Sequence, residues 1–352
     1  MIPLKKQYPA IDIARFVMAL IIVFTHVSPY LDMSAEAYFW TRDCFARVAV
    51  PFFFVSSGFF LFRKMQGGID FSTVRRYWIR ILRVYVVWTL VYLPLPYVWD
   101  LIFQDPAGIL HGMMIELRNA VFTTSFFHLW FLRALLVSIP LAALCFWRGW
   151  RMRSIFACFG CAYIVNLLAT SYLPIYHQLA AHFPSLAFFV AHYETIIPAP
   201  PNGLCFGALF VSIGACVAFH ASSLSTKTLH RGLLLSFLSF SIEGLFVSQF
   251  PAGLLHDGYI VLPVLMFFLF ASIGRIELAP RPIYLELRKM SALIYYAHVL
   301  FFYWVLKLED SHILPAEPIV TLGATIVLSL VFAKIVTDLS EKSAFSFLKI
   351  FF

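Results

Sequence analysis

The feature that most constrains this sequence is a series of long apolar segments that recurs along its whole length. Ten segments approach the length of about 20 residues that an α-helix needs to cross the hydrocarbon core of a bilayer. They cover residues 11–30, 47–62, 81–103, 128–147, 154–173, 203–220, 232–250, 258–273, 291–307 and 317–340. The segments predict an all-α fold, a polytopic integral membrane helical bundle of about ten transmembrane helices.

The composition excludes a water-soluble protein. Hydrophobic residues make up 61% of the chain and charged residues 12%, about half the charged fraction of an average soluble domain. A soluble core cannot bury so many apolar side chains without leaving large patches exposed. No stretch between the segments is long or polar enough for a second domain, so residues 1–352 are expected to form one transmembrane domain. The 6 cysteines indicate neither a disulfide framework nor a metal site.

The distribution of basic residues predicts the orientation of the bundle. If the N-terminus is cytoplasmic, the cytoplasmic loops collect most of the 26 Lys and Arg, as the positive-inside rule requires. Both termini are then expected in the cytoplasm. The same asymmetry accounts for the net charge of +8, so no nucleic-acid partner is needed. Asp12 and Arg15 within the first segment favour an uncleaved helix over a secretory signal.

The first segment carries three ionisable side chains, and each costs at least about 2.5 kcal/mol inside a membrane. Arg15 and His26 lie 11 residues apart, so a helix places them on one face about 16 Å from each other. Asp12 is close enough to Arg15 to pair with it. This arrangement puts a cation near the cytoplasmic face and a titratable base in the outer half. A histidine satisfied by a neighbouring helix remains an alternative.

The third segment begins with a basic cluster. On a helix Arg76, Arg80 and Arg83 fall within an arc of about 60°. Three guanidinium groups on one face are suited to binding phosphates. Basic residues at this position also serve as ordinary anchors to lipid headgroups. Arg83, about one turn deeper than an anchor requires, favours phosphate binding.

Further polar groups lie in later segments. Glu243 is a carboxylate past the middle of the seventh span and needs either a partner or a raised pKa. His128 and Trp130 begin the fourth span, where an aromatic belt is the simpler interpretation. His298 lies near mid-membrane and is as consistent with a structural role as with a chemical one.

At these residues the chain resembles the membrane-bound acyltransferase 3 family. The first helix matches the family's opening Asp-x-x-Arg followed by His, and four later elements follow in the expected order. The five elements are Asp12-Ile13-Ala14-Arg15 with His26, the stretch 47–58 that contains Ser57, Arg80-Ile81-Leu82-Arg83, His128-Leu129-Trp130 and Tyr295-Tyr296-Ala297-His298. The chain also resembles the membrane half of vancomycin-type serine racemases, in which this fold is proposed to take up serine.

The resemblance implies transfer of an acyl group, usually acetyl, from cytoplasmic acyl-CoA to a hydroxyl of an envelope glycan or lipid-linked sugar. It implies an enzyme of the bacterial cytoplasmic (inner) membrane, with acetyl-CoA as donor and no metal. His26 is implied to be catalytic, with Arg15 and the Arg80/Arg83 pair serving the site or the CoA phosphates. Glu243 is similar in placement to an acidic residue of the family.

These observations combine into one mechanistic hypothesis. The CoA phosphates bind Arg80, Arg83 and Arg76, and the acyl arm passes Arg15 to reach His26, which acts as general base. An acyl-histidine intermediate remains open. His128 and Glu243 orient the base or acceptor, and the supporting residues are Asp12, Ser57, Trp130 and His298. The hypothesis requires a continuous crevice from the arginines to His26.

Two other functions remain open at this point. One is a membrane transporter of a small polar solute such as serine, which uses the same polar groups as a binding site at the midplane. The other is a non-catalytic partner subunit of an envelope assembly. The Arg-x-x-Arg cluster favours the enzyme, because a neutral amino acid needs no phosphate site.

Overall fold

A computed structural model describes residues 7–28, 34–65, 67–95, 106–122, 126–183, 202–251 and 256–352, together with 185, 188 and 254. In this part of the chain the regular structure is entirely helical. The helices are α1 (Pro9–Val27), α2 (Ala35–Tyr38), α3 (Ala49–Phe62), α4 (Phe71–Tyr92), α5 (Pro106–Phe122), α6 (Trp130–Trp147), α7 (Met152–Ala169), α8 (Leu173–His182), α9 (Ala208–His220), α10 (Thr226–Val247), α11 (Leu262–Gly274), α12 (Pro282–Asp310) and α13 (Pro318–Ser340).

The predicted fold class is confirmed. Among the described residues, 8 helical segments are long and apolar enough to cross a membrane; they contain α1, α3, α6, α7, α9, α10, α12 and α13. The other two predicted spans correspond to α4, which carries four arginines, and to α11, which has only 13 residues. Ten helices therefore match the ten predicted segments, and α2, α5 and α8 lie between them.

Several helices begin earlier than the apolar segments do. The span predicted at 81–103 is α4, which starts at Phe71 because the Asp70 side chain accepts hydrogen bonds from the backbone N–H groups of Ser72 and Thr73. The Thr73 and Ser72 hydroxyls also bind this carboxylate and lower the pKa of Asp70 to about 2. Because the first turns of α4 are polar, a search for apolar residues places the start of this helix too late. The ends of the predicted spans 11–30 and 81–103 lie outside the described residues.

The core of the bundle is formed where α1 packs against α12 and α3 packs against α9. Gly58 and Gly214 allow the second contact, because a methyl group on Gly58 would overlap the backbone of Val211 and one on Gly214 that of Val55. Ser57 precedes this contact and is half-buried on α3. Because α1 contacts α3 as well as α12, Arg15 and His26 are partly buried in the bundle.

Candidate active site

His26 lies near the C-terminal end of α1, half-buried against α12. Its ring lies nearly parallel to the ring of His298, at an angle of 18°, with centroids 4.9 Å apart and 2.7 Å between Nδ1 of His26 and Nε2 of His298. Nδ1 of His298 is 2.8 Å from the carbonyl oxygen of Tyr295 and 3.1 Å from that of Ile294. Two histidines that are 272 residues apart in the sequence are thus hydrogen-bonded to each other.

A cavity of about 70 Å³ opens beside this histidine pair, and we call it the His26 cavity. Its walls combine apolar and aromatic side chains with one ion pair; they are Ile22, Thr25, His26, Ala46, Arg47, Val50, Pro51, Trp130, Phe206, Asp257 and Tyr295. A water molecule takes up about 30 Å³ in the liquid. The cavity therefore has room for a reacting group beside His26.

The ion pair in the wall belongs to a charged cluster. Arg47 Nη1 is 2.6 Å from Asp257 Oδ1, and Arg47 Nη2 is 2.9 Å from Asp43, which also binds Arg42 at 2.9 Å. The two cations and two carboxylates balance, which makes their partial burial tolerable. Burial lowers the pKa of the neighbouring His256, which favours its neutral form. Sequence gives no sign of this cluster, because Arg47 and Asp257 are 210 residues apart.

His128 is fully buried and lies next to the histidine pair rather than in the cavity wall. Its ring centroid is 5.4 Å from that of His298, and its Nε2 is 3.2 Å from the carbonyl oxygen of Tyr296. Its own carbonyl accepts a hydrogen bond from the Tyr295 hydroxyl at 2.6 Å. The start of α6 is thereby tied to α12, and Trp130, two residues on, reaches the cavity.

The structure supplies the partners that an intramembrane Glu243 needs. Its carboxylate accepts hydrogen bonds from the Tyr172 hydroxyl and from the backbone N–H groups of Ile260 and Val261, the last at 2.8 Å. Ile260 and Val261 directly precede α11, so the carboxylate stabilises the N-terminus of that helix. Glu243 does not line the His26 cavity. Its contacts instead hold the segment that carries Asp257, and its catalytic role stays a prediction.

A second cavity, of about 300 Å³, lies beside α4, and we call it the basic cavity. It is lined by four cations and three apolar side chains, namely Arg80, Arg83, Val84, Lys289, Lys349, Ile350 and Phe352. Its size falls at the lower end of the range for small-molecule sites. The sequence prediction found the two arginines, which lie one turn apart, but it did not find the two lysines.

Long-range contacts bring the two lysines to the basic cavity. Lys289 is on α12 and binds Glu341, and its hydrogen bond lowers the pKa of that carboxyl group. Lys349 belongs to the helical segment Ser343–Phe351, which is held against α4 by a 3.0 Å hydrogen bond from Trp88 Nε1 to the carbonyl oxygen of Phe351. The lining thus carries four positive charges, one of which, on Lys289, is paired with Glu341.

Arg76 lies outside the basic cavity. Its guanidinium is mostly exposed and donates hydrogen bonds to the hydroxyls of Ser72 at 3.2 Å and Thr73 at 2.6 Å. The helix turns Arg76 toward the same side as Arg80, but it sits one turn closer to the N-terminus of α4. The structure thus groups two of the three arginines at this cavity.

Arg15 lines neither of the two cavities. Its guanidinium carbon is 5.9 Å from the centre of the Phe53 ring, and Tyr77 and Tyr296 are within electrostatic range. Its Nε has no hydrogen-bond partner among the described residues. Asp12 is within electrostatic range of Arg15, as the sequence predicts. Among the described residues, however, its close ion-pair partner is Arg288 on α12, at 3.9 Å, because α12 packs against α1.

The two cavities have no lining residue in common. The structure therefore does not show the continuous crevice that the sequence analysis predicts. Tyr296 is within electrostatic range of Arg80, which lines the basic cavity, and of Arg15 on α1. This tyrosine therefore connects the basic cavity with α1. Tyr295, the next residue, lines the His26 cavity. One helix, α12, thus passes both cavities.

Comparison with known proteins identifies the family. A model described as an acyltransferase domain matches residues 8–337, nearly the whole chain. The chain belongs to the acyltransferase 3 family. Membership and the apolar helices together make it a multi-pass membrane protein of this family.

Similar curated proteins are amino-acid racemases of enterococci. This acyltransferase 3 member is 28% identical over 270 residues to the serine/alanine racemase of Enterococcus gallinarum, covering 75% of this chain and 37% of the racemase. It is 24% identical over 349 residues to an amino-acid racemase of Enterococcus faecalis, covering 96% of this chain and 47% of the racemase. The chain therefore spans less than half the length of these relatives. No solved structure matches it.

Proposed function

We propose that this acyltransferase moves an acyl group, acetyl in the first instance, from acyl-CoA to a hydroxyl of an envelope glycan or lipid-linked sugar. The most direct support is that α12 contributes to two sites. Its Lys289 lines the basic cavity, and its His298 is hydrogen-bonded to His26. A donor rich in phosphate fits the first, and an acceptor hydroxyl fits the second.

At the donor end, Arg80, Arg83, Lys289 and Lys349 bind the phosphates of CoA. Guanidinium and ammonium groups form charge-assisted hydrogen bonds with phosphate oxygens. The apolar lining by Val84 and by the Ser343–Phe351 segment suits the non-phosphate part of the donor. Arg76 lies outside this cavity and is not needed for phosphate binding.

Between the ends, the acyl arm passes Arg15, Tyr77 and Tyr296. The rise of about 16 Å along α1 from Arg15 to His26 matches an extended pantetheine arm. Because the cavities are separate, these side chains must move before the thioester reaches His26. Collective motions of this kind occur in microseconds to milliseconds and are compatible with turnover.

At the acceptor end, His26 removes the proton of the acceptor hydroxyl, whose oxygen attacks the thioester carbonyl. The carbon–sulfur bond then breaks, the ester forms, and the proton passes from His26 to the CoA thiolate. Trp130 offers an aromatic surface to the sugar ring, and the Arg47–Asp257 pair offers hydrogen-bonding groups to its other hydroxyls. Glu243 holds the segment that carries Asp257 through its hydrogen bonds with Ile260 and Val261. Direct transfer is the simpler route, and an acyl-histidine is its variant.

The proposed setting is the bacterial cytoplasmic membrane, with both termini and the basic cavity on the cytoplasmic side. The cations of the basic cavity then follow the positive-inside rule and also meet cytoplasmic acyl-CoA. The His26 cavity lies toward the opposite face, where envelope acceptors are exposed.

A second candidate is uptake of a small zwitterion such as serine. The names of the racemase relatives favour it, and so does the pairing of Arg47 with Asp257 beside a small cavity, since these groups match a carboxylate and an ammonium. The basic cavity favours the enzyme, because a neutral amino acid has no phosphate groups for its four cations to bind.

One proteoliposome preparation separates these functions. We expect labelled acetyl-CoA to be consumed and its label to appear in a glycan or lipid-linked acceptor, and we expect His26→Ala to fold but not to transfer. Uptake of labelled serine without acetyl transfer would replace the enzyme with the transporter. Loss of both would favour a partner subunit. Mass spectrometry of envelope glycans with and without the gene would identify the acceptor.

A further inference from the structure

We infer that His298 is a positioning residue that fixes the tautomer of His26 and leaves Nε2 of His26 as the atom that takes the proton. The catalytic consequence rests on the proposed acyl transfer, whereas the tautomer itself does not. The hydrogen bonds around the two rings carry the inference.

The chain of hydrogen bonds starts at the backbone of α12. The carbonyl oxygens of Tyr295 and Ile294 lie 2.8 and 3.1 Å from Nδ1 of His298. A carbonyl oxygen only accepts, so Nδ1 of His298 must carry a hydrogen. In a neutral imidazole the other nitrogen is then an acceptor. Nε2 of His298 therefore presents a lone pair to α1.

The same logic applies to His26. Its Nδ1 lies 2.7 Å from the Nε2 lone pair of His298, so Nδ1 of His26 must donate. Nε2 of His26 is left without a hydrogen. No described group hydrogen-bonds to this nitrogen, and His26 lines the cavity that bears its name. The basic atom is thus the one that is open to an acceptor hydroxyl.

The surroundings of His298 favour its neutral form. It is fully buried, and the side chains around it are the uncharged rings of His26, His128 and Tyr295. An isolated charge is costly in such a place. The Tyr295 hydroxyl donates to the carbonyl of His128 at 2.6 Å, which fixes the turn of α12 whose carbonyls orient His298.

The arrangement has a consequence for the reaction. When Nε2 of His26 takes a proton, the ring becomes a cation whose Nδ1–H already points at a lone pair. The neutral acceptor stabilises this cation without placing a negative charge in the bundle. Because Nδ1 is occupied in both states, only Nε2 exchanges the proton with acceptor and donor.

Two substitutions of similar polarity separate positioning from simple packing. His298→Gln places an acceptor where Nε2 was, whereas the side chain in His298→Asn is too short to reach His26. We expect His298→Asn to lower kcat about 100-fold, within the range of general acid–base effects, with the KM for acetyl-CoA unchanged. We expect His298→Gln to stay within about tenfold of wild type. His312→Asn, at an exposed histidine outside the site, is the matched control.

The tautomer is read directly from ¹⁵N spectra of histidine-labelled protein in nanodiscs, with His26→Ala identifying the His26 signals. We expect hydrogen on Nδ1 and none on Nε2 of His26 in the wild type, and loss of this preference in His298→Asn. Hydrogen on Nε2 in the wild type, or equal losses of activity in the Gln and Asn variants, would overturn the inference. The expected tautomer in a protein that transfers no acetyl group would instead count against the proposed function alone.

Discussion

Removal of single cations from the basic cavity is the most informative perturbation of donor binding. Arg80 and Lys349 reach this cavity from two different elements, one from α4 and the other from the Ser343–Phe351 segment. A hydrogen bond to a charged group contributes about 1.5–3 kcal/mol. Both side chains are exposed, and solvent screening reduces the effect to just below that range, about 1.4 kcal/mol. This corresponds to about a tenfold change in affinity.

We therefore expect Arg80→Gln and Lys349→Gln each to raise the KM for acetyl-CoA about tenfold and to leave kcat within about twofold. Lys342→Gln is the matched control, because Lys342 is an exposed cation that precedes the same segment and lies outside the cavity. The assay is initial-rate acetyl transfer in proteoliposomes at fixed ionic strength, since salt screens exposed charges.

The phosphate itself is tested with 3′-dephospho-acetyl-CoA. If a cation binds this phosphate, its substitution affects the KM of acetyl-CoA but not that of the dephospho analogue, as in a double-mutant cycle. The same tenfold loss with both donors would assign the cation to another part of CoA. An unchanged KM in Arg80→Gln, Arg83→Gln and Lys349→Gln would remove the donor from the basic cavity and refute the reasoning.

Three further predictions follow from particular contacts. Glu243→Gln weakens the hydrogen bonds from the backbone N–H groups of Ile260 and Val261. We therefore expect the free energy of unfolding to fall by about 1–3 kcal/mol, measured as a lower Tm in detergent. Unchanged stability would leave a chemical role for this acid. Gly58→Ala places a methyl group on the backbone of Val211, so we expect poor folding by size-exclusion chromatography; Gly323→Ala, which meets open space, should be neutral. Asp257→Asn leaves Arg47 with one carboxylate partner, and we expect a lower kcat/KM for the acceptor with an unchanged KM for acetyl-CoA; a change in the donor KM alone would separate this cluster from the acceptor.

The sequence predicts features that depend on local periodicity. Ten apolar segments match ten helices, and the 11-residue interval does place Arg15 and His26 on one continuous helix, α1. Both follow from helix geometry alone. The early start of α4 was missed because Asp70 caps a first turn that is polar.

Contacts between distant parts of the chain are the features that sequence could not give. Asp12 forms its close ion pair with Arg288 on α12, and Lys349 reaches the basic cavity because Trp88 holds its segment. These pairings depend on how helices cross, which no spacing within one segment encodes. His26 and His298 were both recognised as candidates, but only the fold shows that they are hydrogen-bonded.

The most direct test of the mechanism is sided acetyl transfer in proteoliposomes of known protein orientation. Labelled acetyl-CoA is supplied to the face that carries the basic cavity, and an impermeant glycan acceptor is placed on the other face. We predict that wild-type protein labels the acceptor and that His26→Ala, folded to the same extent, does not. Equal labelling by the two proteins would contradict a role for His26 in the transfer.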